Sequence, residues 1–158
     1  MFRRIILVPA ALIALMVAVV SFSALTGAGT DGIIRVKSAY PITETVARIK
    51  QDVSGKGIMF FSEVDQSKLA AGAGLTLRPS ILLTFGDPPL GTQFITANPN
   101  AGLDWPVRLL VFENEKGEVW TAYTDFAWIA HRHGIKDRDA QFKMASSVAT
   151  SILSSVTK

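Results

Sequence analysis

Apolar positions change their spacing along this chain, and each change marks an element. Ile5 to Leu25 carries no charge at all. Beyond it the runs are short. Ile33 to Tyr40 alternates weakly and meets Pro41, which predicts a strand stopped by proline. Val46, Ile49 and Val53 recur at helical spacing behind Thr43, the expected cap, and Glu44, whose charge suits a first turn; Gly55 and Gly57 supply the exit. Ile58 to Val64 is short, aromatic and branched, as a strand is. Asp65 then caps a short helix with Leu69, Ala70 and Ala73 on its apolar side, closed by Gly74.

The second half is patterned more sharply. Ser80 to Phe85 is continuously apolar, which predicts a central strand covered on both faces. Asp87, Pro88, Pro89 and Gly91 make a rigid turn, and Thr92 is the expected cap of a helical stretch to Asn98. Pro106 opens a strand over Val107 to Glu113, and Gly117 turns it into Glu118 to Tyr123 as an antiparallel hairpin. That hairpin gathers Asp104 and Arg108 with the residues after Tyr123. Asp125 caps a helix through His133 that packs through Phe126, Ile129 and Ala130. A last helix, from about Arg138 to Val156, carries the stripe Phe142, Ala145, Ala149, Ile152 and Val156, a core face that could also seam a homodimer.

These elements predict one α+β domain over residues 31–158, with a mixed β-sheet of about five strands and helices packed on it. Residues 1–30 form an N-terminal hydrophobic leader. Arg3 and Arg4 precede its apolar core, the layout of an export signal or a membrane anchor. The run matches the roughly 20 residues that span a bilayer and exceeds the roughly 7 to 15 of a usual signal core, while Thr26-Gly27-Ala28 offers a weak cleavage site. Cleaved signal and retained anchor both stay open. Either places the domain on the periplasmic side of the cytoplasmic membrane, with residues 5–25 as its contact with the bilayer.

Two compositional facts narrow the chemistry. There is no cysteine, which removes disulfides, thiol catalysis and thiolate metal sites. The net charge of +3 comes from 16 basic and 13 acidic residues, and the leader holds two of the arginines, so the domain is nearly neutral. It has no broad electrostatic footprint for nucleic acid.

The candidate ligand-binding residues are Asp87, Asp104, Trp105, Arg108 and Asp125. Asp87 and Asp104, with Glu63 or Glu113 if strand order permits, could bind a cation or share a proton, and Arg108 could grip a small anionic ligand at two points. The bland alternative is that the aspartates cap turns and Arg108 pairs with Asp104. Trp105 stands out among the aromatics because it sits in a loop beside Asp104. His131 and His133 are two apart on a helix and point in different directions, so they make a poor metal pair. No nucleophile elbow or phosphate loop is present, and no cofactor or catalytic residue is identified.

The ordered set Phe85-Gly86-Asp87-Pro88, Asn98-Pro99, Gly102-Leu103-Asp104, Pro106 and the Gly117 hairpin, followed by a helix ending Ala130-His131-Arg132-His133-Gly134-Ile135, resembles the bacterial domain of unknown function family 302. The resemblance covers Ala39 to the C-terminus. It implies a compact, often exported α+β fold with no established enzyme activity or cofactor. It also marks two departures, since the family often has Asn where this chain has Asp87 and His where it has Gln66. The leading reading is a noncatalytic module that binds a small ligand or a protein between the Asp87 turn, the Gly102 to Arg108 loop and the helix after Tyr123. The alternatives are a small hydrolase-like or acid-base enzyme using Asp87, Asp104 and Arg108, and a structural homo-oligomer built on the last helix.

Overall fold

The computed structural model describes residues 29–157, so nearly all of the leader lies outside the described residues. Among the described residues no helix is long and apolar enough to cross a membrane.

Five strands, β1 (Ile33–Lys37), β2 (Met59–Asp65), β3 (Ser80–Gly86), β4 (Val107–Glu113) and β5 (Val119–Thr124), form one sheet in the order β1-β5-β4-β3-β2. Every neighbouring pair is antiparallel, not mixed as the pattern predicted. The expectation failed for a topological reason. β1 and β2 do run the same way, joined by helix α1 (Ile42–Gly55), but they occupy opposite edges and never pair.

Alternation sorts the side chains. Leu83, Phe85, Leu109, Val111, Thr121 and Tyr123 are buried on one face. They pack with Val46, Ile49 and Val53 of α1 and with Phe142, Ala145, Ala149, Ile152 and Leu153 of helix α5 (Asp139–Ser154) in a single core. The other face, with Leu82, Leu110, Ala122, Phe112 and Trp120, is only half-buried. β3 is therefore covered on one face, and β4 holds the centre. Apolar residues on both sides of β3 look the same in sequence whether or not a second layer exists, which is why a doubly covered strand was expected. The stripe on α5 is spent on the chain's own core, including a stacked Phe94–Phe142 pair at 4.3 Å between ring centres.

Two caps differ from expectation. Helix α1 starts at Ile42 with Pro41 in the cap position, and Thr43 falls inside its first turn. Helix α3 (Pro88–Ala97) likewise starts before Thr92, because proline's fixed φ suits a first helical position. Asp65 and Asp125 cap as predicted, accepting from the backbone N–H groups of Lys68 and Ala127 at the starts of α2 (Gln66–Gly72) and α4 (Phe126–Arg132).

At the hairpin, Glu118 accepts from Lys37 Nζ of β1 (2.6 Å), Asn114 Nδ2 and Trp120 Nε1. Led by the Lys37 bond, these donors hold its carboxyl down to about 2 from an ordinary 4.5. A depressed carboxyl contributes stability above its unfolded pKa and loses it as pH falls through the folded one. Between about pH 4.5 and 2, wild type should therefore lose more melting temperature than Glu118→Gln, as thermal denaturation across that window would show.

Candidate functional site

The five predicted residues do not make one site; they divide between two neighbouring places and a cap. Asp125 is the cap, its carboxylate turned to the Ala127 N–H at 3.2 Å.

The first place is built by Trp105. The chain leaves β3 through Gly86, runs along α3, passes a 3-10 turn at Pro99–Leu103 and reaches Trp105 ahead of a cis Trp105–Pro106 peptide. Its indole lies against two bare backbones. A Cβ on Gly86 would stand 2.4 Å from the ring, and one on Gly91 would stand 2.0 Å away. Glycine at both positions is what lets the indole seat there.

Beside the ring opens a groove of about 570 Å³. Ile58, Phe85, Leu90, Trp105, Val107, Phe126 and Val148 make it mainly apolar, and Met144, Ser147 and Ser151 of α5 form its outer wall. Its charged lining residues are Asp87 and Lys56, and the Lys56 ammonium is already paired with Asp52 at 2.7 Å. Asp87 makes no side-chain cap bond to α3, which leaves its carboxylate available. An apolar body with a few placed polar groups is the usual constitution of a small-molecule site.

The second place centres on Asp104, whose side chain is 3% exposed. His133 Nε2 lies 2.6 Å from Oδ2. Arg108 donates to Oδ1 at 3.2 Å, and Arg132 reaches both oxygens at 3.4 Å. The His133 side chain is as buried as the aspartate, whereas both arginine side chains are about half exposed. The His133 carbonyl in turn accepts from Asn98 Nδ2 at 2.8 Å, tying α4 back to the end of α3. Asp104 thus holds three elements together. Arg108 pairs with it, as the bland reading of these residues had it.

Asp104 and Arg108 line a small cleft with Val107, Thr124, Phe126 and Ile129, and Asp104 does not reach the groove. Val107 and Phe126 wall both spaces, so the two adjoin. Neither glutamate joins them: Glu63 pairs with Lys50 at 2.8 Å, and Glu113 stands at the far end of β4 from Arg108. Gln66, at the departure from the family pattern, accepts from Ser80 Oγ at 2.7 Å.

Arg132 and His133 were missed as partners of Asp104. The signal was present, since the hairpin returns the chain after Tyr123 to the end of the sheet where Asp104 lies. Spacing alone presents His133 only as half of a poor metal pair. The two histidines do diverge: the His131 ring sits 6.4 Å from that of Trp128, while His133 turns inward to Asp104.

Comparisons with known proteins bear on the fold and the family. The chain is similar, at 36% identity over 105 residues, to proteins named Fluoride-specific ion channel FluC 1 from Brucella suis biovar 1 (strain 1330) and from Brucella abortus biovar 1 (strain 9-941). The match takes in 66% of this chain but only 41% and 39% of those proteins, so the chain spans about two fifths of these relatives. A crystal structure of an uncharacterized conserved DUF302 protein from Bacillus stearothermophilus shares the fold, with a TM-score of 0.72 at 13% identity over 79% of this chain and 98% of that one. The family described as domain of unknown function DUF302 matches residues 34–152, and with the five-stranded α+β architecture around Asp104 and Trp105 now in place, the chain belongs to that family.

Proposed function

We propose that this chain is a noncatalytic module that binds a small, largely apolar ligand in the groove beside Trp105. The observation that carries the reading is the groove itself, about 570 Å³ of mainly apolar wall with Asp87 bringing charge to it. A volume of that order suits a small molecule, and Asp87 would fix its orientation.

The acid-base alternative needs two carboxylates facing one space. Asp87 lines the groove, whereas Asp104 lines the adjoining cleft and is engaged by Arg108, Arg132 and His133. A carboxylate that is 3% exposed and already faces three partners offers a substrate little access. The geometry therefore favours binding over acid-base chemistry.

The place of action that fits best is the outer surface of the cytoplasmic membrane. Two facts support this. The apolar run Ile5 to Leu25 precedes the domain, and the relatives named as ion channels carry a similar stretch as about two fifths of their length. A channel needs membrane-spanning segments, and no described helix of this chain qualifies, so in those relatives the channel would be formed by the remainder. The domain would then serve beside a membrane protein.

A thermal-shift screen against small amphipathic molecules tests the binding reading. A ligand at a hundred times its dissociation constant should stabilise the fold by about 2.7 kcal/mol, a rise of several degrees. No shift across a chemically broad set would count against the groove as a site.

A further inference from the structure

The two arginines on Asp104 carry a second inference that does not depend on the groove. Each guanidinium has five N–H donors in a planar fork, yet only one nitrogen of each touches the aspartate, at 3.2 Å for Arg108 and 3.4 Å for Arg132. Their side chains are 53% and 51% exposed, while the carboxylate beneath them is 3% exposed and already bonded to His133. Asp104 behaves as a buried post. It holds two half-exposed cations side by side and engages only one nitrogen of each.

One hydroxyl is near: Thr124 lines the cleft with Arg108 and Asp104, whereas Thr84, the cross-strand partner of Arg108, is bonded to Ser62 Oγ at 2.7 Å. Asp125, next along the chain, is turned to the backbone of α4. Bonded to the same carboxylate oxygen, the two guanidiniums lie close enough together for one tetrahedral oxyanion to bridge their remaining donors. We propose that Arg108 and Arg132 form an oxyanion-binding site whose ligand is a phosphate group.

The neighbourhood points to a lipid headgroup as the phosphate's source, a choice that rests on the membrane reading above. Trp128 is four residues before Arg132 and shares its helix face; it is 43% exposed. Its indole covers Gly32, where an added Cβ would stand 2.3 Å from the ring. Gly32 lies seven residues past the end of the apolar run, a span of roughly 25 Å at full extension. An exposed tryptophan beside arginines at that distance from an anchor is suited to the bilayer interface.

The test is calorimetric titration of the full chain, held in uncharged detergent, with inorganic phosphate and separately with a water-soluble short-chain phosphatidic acid. Wild type should bind a phosphate-bearing probe, and Arg108→Gln or Arg132→Gln should each weaken it about tenfold or more while the melting temperature stays close to wild type. Arg132→Lys keeps the charge but not the fork, and should lie between. Tighter binding of the lipid probe assigns the headgroup as ligand. Equal affinity supports the site with free phosphate as its ligand and removes only the membrane source. Absence of binding to both probes, or binding unchanged in the glutamine variants, overturns the site.

Discussion

Asp104→Ala should lower stability by about 2–3 kcal/mol, the cost of leaving a buried polar group without its partner. The reason lies in what remains. His133, 5% exposed, loses its 2.6 Å partner, and Arg108 and Arg132 lose the carboxylate that balances them. For a domain of this size the loss is roughly 5–10 °C in melting temperature. Asp104→Asn separates the causes. Its amide oxygen can still accept from His133, so a cost near 1 kcal/mol would mean that the hydrogen bond matters most, and a cost close to that of alanine would mean that the charge does. Because the His133 carbonyl also accepts from Asn98, the loosening should spread, with faster amide exchange at the end of α3 and through α4.

Gly91→Ala should be the second costly change, although it adds one methyl group. The added carbon would stand 2.0 Å from the Trp105 ring, a distance no real contact shows, so the indole would be forced off its seat toward the groove. Overpacking of this kind costs about 1–3 kcal/mol and sometimes more. Trp105→Leu in the same chain should recover part of that loss, since the clash needs both partners. Chemical denaturation of the two single variants and the double variant measures this coupling directly. If the costs simply add, the indole does not sit where the two glycines accommodate it.

How far the sequence could be read follows from which physical signals are local. The hairpin was legible because β4 and β5 are neighbours in the chain and Gly117, at a φ of 74°, is where the turn needs a left-handed residue. So were the caps at Asp65 and Asp125 and the apolar stripe of α5. Strand order was not legible. A helix between two strands is equally compatible with a parallel neighbour, an antiparallel neighbour after a longer path, or a strand at the far edge, and this fold uses the last two.

The site was half legible for a related reason. Asp87, Asp104, Trp105 and Arg108 were singled out because turn-forming and charged residues crowd the ends of apolar runs. Their division into an apolar groove and an ion cluster depends on which way each side chain faces, and no spacing encodes that. Trp105 shows the point. Its role is written in Gly86 and Gly91, neither of which announces an indole, and in α5, about forty residues further on. Arg132 and His133 were hidden because a buried carboxylate gathers its partners from the whole fold.

The central claim is that the groove beside Trp105 is a ligand site, and filling it tests that most directly. Ser147 is exposed on the outer wall of α5, so Ser147→Trp would obstruct the groove without disturbing the core. Calorimetric titration of a screening hit into wild type and into Ser147→Trp is the measurement. The account predicts that the variant melts as wild type does and binds the hit at least about tenfold more weakly, about 1.4 kcal/mol. Equal affinity in a folded variant would contradict it and put the ligand elsewhere on the domain.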